Sequence, residues 1–94
     1  MAQAHVDPEK LRKFSRQLRG FADFTDATMR RLGGEISRLG NTWRDQEFDR
    51  FVREFTRVQA QLKKFVEEAR STAPKIDEDA RLAEEYQHYH SSGS

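Results

Sequence analysis

The strongest constraint on this chain lies at its midpoint, in Leu39-Gly40-Asn41-Thr42-Trp43-Arg44-Asp45. This is a short turn that carries the only Trp. On each side runs a long stretch whose apolar residues recur at helical spacing. Two helices of matched length, folded back on one another with an aromatic residue at the bend, satisfy that symmetry. Neither arm can bury its apolar face alone, so the pattern points toward partner helices and away from a catalytic pocket.

The first arm starts at Asp7-Pro8-Glu9. Asp7 caps free backbone N–H groups, Pro8 suits the first helical position, and Glu9 favours the positive end of the helix dipole. Its seam runs Leu11, Phe14, Leu18, Phe21, Ala22, Met29, Leu32, Ile36, Leu39. The steps are mostly three and four. Thr25 and Thr28 interrupt the seam, and Gly33-Gly34 marks a bend or a close-packing point. Phe24 lies beside the seam and marks a second contact face. Helix 1 is therefore expected over 8–39.

Gly40-Asn41 is expected to end that helix in a left-handed conformation. Thr42-Trp43-Arg44-Asp45 fits a capping pattern with Thr42 as cap and Asp45 reaching back. The turn and cap occupy 40–45, and helix 2 spans 43–73. The second seam is richer: Phe48, Phe51, Val52, Phe55, Val58, Leu62, Phe65, Val66, Ala69. Pro74 should end or kink this helix near Thr72. A shorter helical extension is then expected over 75–89, followed by a flexible tail over 90–94.

Composition supports partnering. The 94 residues are 35% apolar and 35% charged, which suits solvated helices with narrow stripes and not a thick core. Dimerisation would cover what a monomer leaves wet. The net charge of +1, with acids interleaved among Arg12, Lys13, Arg16, Arg19, Arg30 and Arg31, argues against a phosphate track and nucleic-acid binding. Without Cys there is no disulfide framework and no thiolate site. The N-terminal residues show no signal-peptide pattern, and no apolar segment approaches membrane-spanning length.

Chemistry-bearing residues are sparse. Glu85-Tyr86-Gln87-His88 has the Glu-x-x-His spacing of di-iron bundles, but apart from Glu35 the seams supply no buried carboxylates, so no metal or other cofactor is expected. His5, His88 and His90 sit beside no nucleophile arrangement. Gly33-Gly34 lacks the context of a phosphate loop. No enzymatic activity is expected. Trp43 has two readings, a staple over Phe48 or Leu39 and a recognition anchor at the tip.

A chain of about a hundred residues with two seamed helices and a central Trp turn resembles the WXG family of small type VII secretion proteins, relatives of the early secreted antigenic target. The resemblance covers about residues 5 to 73. It rests on Trp43, on Leu32, Ile36 and Leu39 before it, and on Phe48, Phe51 and Phe55 after it. The family's third motif position is Gly, whereas this chain has Asp45. The family also implies a C-terminal signal, a Tyr followed four residues later by an acid. Here Tyr86 is followed by His90 and Tyr89 by Gly93, although Glu85 and Tyr86 lie where that signal would stand.

The fold expected is all-α: an antiparallel two-helix hairpin with a short C-terminal extension, dimerising into a four-helix bundle. Leu11, Phe14, Leu18, Phe21, Leu32, Phe48, Phe51, Phe55, Leu62 and Phe65 form the expected dimer seam. Asn41, Thr42, Trp43 and Asp45 form the recognition turn. A homodimer is favoured over a heterodimer with a similar hairpin, and a secretion motor or larger client is a further partner. The resemblance implies a protein made in the cytoplasm and exported without a cleaved signal peptide. The alternative is a cytoplasmic coiled-coil adaptor or toxin-neutralising chaperone that is not exported.

Overall fold

The computed structural model describes residues 6–92, the side chains of 89–92 excepted. His5 and the Gly93-Ser94 end lie outside the described residues, as do the side chains of Tyr89 and His90. Two antiparallel helices make up the hairpin: α1, Pro8–Leu39, and α2, Gln46–Ser92. The molecule is a thin slab of 73 × 25 × 14 Å. Its radius of gyration is 21.1 Å, against roughly 12 Å for a compact domain of this length.

The start of α1 follows the sequence. Asp7 accepts hydrogen bonds from the Glu9 and Lys10 amides, and Pro8 occupies the first turn.

The turn corrects two expectations. Gly40 has φ −62° and ψ −16°, a right-handed conformation, and no described residue has positive φ. The helix ends instead through overlapping turns. The Asn41 amide donates to the Arg38 carbonyl, and the Thr42 and Trp43 amides both donate to the Leu39 carbonyl. Gly40 is small for another reason: a Cβ there would lie 3.3 Å from the Phe48 ring. The cap of α2 is Asp45, not Thr42. The Phe48 amide donates to Asp45 Oδ1 at 3.0 Å, whereas the Thr42 hydroxyl turns back to the Leu39 carbonyl. Helix α2 therefore starts at Gln46 rather than at Trp43.

The third correction is Pro74, which lies inside α2 and does not end it. An interior Pro removes one helical hydrogen bond and disfavours the helix by about 3 kcal/mol. Contacts with α1 on both sides of Pro74 outweigh that penalty. Ala73 and Ala80 are fully buried, and the buried Ser15 hydroxyl donates to the Ala73 carbonyl at 3.1 Å. Arg19 bonds Asp77 at 2.6 Å, and Arg12 bonds Glu84. The expected extension over 75–89 is thus a continuation of α2, and residues 90–92 of the expected tail are helical too.

The helices meet through small side chains. Ser15, Ala22, Thr25, Val66, Ala69, Ala73 and Ala80 are buried, and the largest fully buried side chain is that of Ser15. Small residues at steps of three and four let the helix axes approach closely. A slab two helices wide then has two broad faces, and this one's faces differ in chemistry.

Candidate interaction surfaces

One face is a ladder of ion pairs between the helices. Arg12 meets Glu84, Arg19 meets Asp77, and Arg70 bridges to Asp23 at 2.9 Å and Asp26 at 3.8 Å. Arg30 joins Asp26 at 3.0 Å. These pairs are well exposed and individually weak. The Arg12–Glu84, Arg19–Asp77 and Arg70–Asp23/Asp26 pairs fix register, because each links one level of α1 to one level of α2, whereas Arg30–Asp26 lies within α1. Asp77 is held below its ordinary value by the Ser15 hydroxyl and then by Arg19. Arg12 does the same for Glu84.

The other face is apolar. Phe14 and Phe21 are seven residues apart on α1, as are Phe51, Val58 and Phe65 on α2. The Phe21 and Phe65 rings meet edge to face at 5.7 Å, which places both sets on one side of the slab. Phe21 is 52% exposed and Phe65 44%. Leu32 and Leu39 extend the face toward the tip, and both are exposed. Phe24, one step outward from Phe21, is 67% exposed.

The expected seam residues therefore divide. Leu11, Leu18, Phe48, Phe55 and Leu62 are half-buried, with Leu18 packed on Ala22, Val66 and Ala69. Phe14, Phe21, Leu32, Phe51 and Phe65 stay exposed. The hairpin's own contact uses a different set of residues from its outward face. The sequence reading merged the two sets. The small residues at positions 15, 22, 69, 73 and 80 were the available signal for the inner seam.

The tip is built around Trp43. Its ring lies 5.1 Å from that of Phe48, tilted by 53°, and about a third of the residue remains exposed. Asp45 anchors both neighbours. Its carboxyl is held below the ordinary value by the Phe48 amide first, then by the Trp43 side chain and the Glu47 amide. The carboxylate at the place of the expected Gly is thus the cap of α2. Asn41 and Thr42 are exposed in the turn.

Tyr86 is exposed at the far end of α2, and the neighbouring Glu85 bonds Arg81 at 2.8 Å. Forty residues of helix separate Gln46 from Tyr86, which is roughly 60 Å. Tip and tail of one chain therefore cannot touch. Among the described residues no group of His, Asp and Glu side chains has metal-binding geometry. No described helix is long and apolar enough to cross a membrane.

These features define a small all-α hairpin protein whose outward chemistry is an aromatic face and a Trp-bearing tip. The chain belongs to the WXG100 family, proteins of 100 residues with WXG, whose family model matches residues 3–87. It is accordingly a small helical protein of the type VII secretion-associated class, a family whose members typically form dimers with partners. No curated protein and no solved structure matches it.

Proposed function

We propose that this chain is a substrate of a type VII-type secretion system, or the carrier and partner of a larger exported protein, and that it works through surfaces alone. The observation that carries the reading is the exposed row of Phe side chains along one side of the slab. Full burial of a Phe contributes about 1.5–3 kcal/mol, so covering half of each leaves on the order of 1 kcal/mol per ring. Several such rings supply enough to hold two hairpins face to face as a four-helix bundle.

In an antiparallel bundle the Trp43 tip of one hairpin lies beside the tail of the other. Trp43, with the Tyr86 region of the partner chain, then forms one composite patch for a secretion motor. Export proceeds from the cytoplasm without a cleaved signal. Trp43→Ala should abolish appearance of the protein outside intact cells without unfolding it. Export that survives this variant sinks the reading.

One observation favours a second reading. Neither Tyr86 nor Tyr89 is followed by an acid at the spacing of the family's tail signal. A cytoplasmic adaptor or neutralising partner would need no such signal. It predicts that the protein stays inside cells with or without Trp43.

A further inference from the structure

The ties between the helices stop halfway along the slab. The rungs Arg12–Glu84, Arg19–Asp77 and Asp26–Arg70 recur every seven residues on both helices. The next rung at that interval would join Gly33 to Lys63, and the one after it Gly40 to Thr56. Neither glycine has a side chain to offer. Lys63 forms no ion pair with a described residue, and the Thr56 hydroxyl donates at 2.8 Å to the Val52 carbonyl of its own helix. The Ser15–Ala73 hydrogen bond and the Arg70–Asp23 pair also lie on the tail side of this break.

Packing changes at the same level. Burial reaches no further toward the tip than Thr25 on α1 and Val66 on α2, and no residue from 27 to 65 is buried. Just beyond, a groove of about 220 Å³ opens between the helices, lined by Met29, Gln59 and Leu62 and by the charges of Asp26, Arg30 and Lys63. Asp26 is already engaged by Arg30 and Arg70, so Arg30 and Lys63 border the groove as like charges. A Cβ on Gly33 would meet nothing within 4 Å. The tip half's own ion pairs, Arg38–Glu35 and Arg57–Glu54, each stay within one helix. Its ring contacts, Trp43–Phe48 and Phe51–Phe55, join residues close along the chain.

We infer that the hairpin opens locally from its tip, with residues 27–65 parting as one unit while the tail half stays closed. Regions with few buried apolar contacts open at well below the free energy of global unfolding. Gly33 and Gly34 weaken α1 at the same level, since each is a poorer helix former than Ala. The tail half, by contrast, keeps the small-residue packing and all three rungs. Trp43 therefore rides on the part that opens. A receptor that grips Trp43 in the closed form loses affinity in proportion to the fraction of chains that are open, and one that grips the open form gains from that fraction. The inference concerns the single hairpin and does not depend on what covers the Phe face.

The test is native-state amide hydrogen exchange, read residue by residue on the full chain in dilute solution over a series of low urea concentrations. Amides of residues 29–39 and 49–62 should exchange at least about tenfold faster than those of 15–26 and 66–80, with a weaker rise in urea, because local opening exposes less surface. Two variants separate local from global opening. Gly33→Ala/Gly34→Ala fits without a clash and should slow exchange about 20-fold in the tip half of both helices. Ala80→Gly weakens the tail half and should speed exchange there at least about fivefold. It should leave the tip half unchanged, because the tip-open state keeps the tail closed. One rate and one steep urea dependence across both halves would overturn the inference. So would Ala80→Gly speeding both halves equally, or the glycine replacements slowing α1 alone, which is the behaviour of a fraying helix end.

Discussion

Replacing Ala22 by Leu puts the close approach of the helices to the test. Ala22 has no exposed surface and lies against Val66, Ala69 and Leu18. Leu is nearly as good a helix former as Ala, so α1 itself is little affected. The added carbons have nowhere to go unless the axes separate. Overpacking of this kind destabilises by about 1–3 kcal/mol. The upper half of that range applies, because the facing positions are already small and cannot shrink. Each 1 kcal/mol moves the melting point of a domain this size by about 4–8 °C, so a fall of about 10–20 °C is expected. The assay is circular dichroism at 222 nm at one fixed protein concentration, since association shifts the midpoint. Ala27→Leu is the control. It changes the same residue type on the same helix at an exposed position and should move stability by no more than about 0.5 kcal/mol. Equal effects of the two variants, or a melt of Ala22→Leu within about 2 °C of the parent, would refute the small-residue seam.

Pro74→Ala restores a helical N–H on an exposed position of α2 and should raise stability by about 2–3 kcal/mol in the same melt; a decrease would mean that the helix breaks there. Gly40→Ala should push the Phe48 ring from beneath Trp43, read as a change in Trp emission, because the new Cβ lies 3.3 Å from that ring while the φ of −62° strains neither residue type. The carboxyls of Asp45, Asp77, Glu78 and Glu84 all lie below their ordinary values. Their contribution to stability is therefore complete above the unfolded-state values, near pH 4 to 4.5, and is lost as pH falls through the lower folded values. The melting point should hold from pH 7 to about pH 5 and drop below about pH 4. Asp77→Asn should make that drop shallower, and an unchanged acid limb would show that the Arg19–Asp77 bond adds nothing to the fold.

The hairpin and the direction of its two arms were legible because Asp7-Pro8 and the three-and-four spacing act locally. What sequence misplaced depends on contacts distant along the chain. Pro74 breaks a solitary helix, and contacts distant along the chain, among them Ser15–Ala73 and Arg19–Asp77, each across 58 residues, carry α2 through it. The cap was misassigned because Thr42 and Asp45 both satisfy the local pattern, and the choice follows from where the turn places the Phe48 amide. Trp43 was legible as a singular residue at a bend. The division of the apolar residues into an inner and an outer set was hidden for a related reason. Hydropathy ranks Phe above Ala, yet the closest helix contact selects the smaller side chain.

The slab's thin profile bears on transport. Viewed down its long axis the hairpin presents a footprint of only 25 × 14 Å. A conduit wide enough for that outline admits the chain end-on without melting a single turn, and stacking a second such slab roughly doubles the narrow dimension alone.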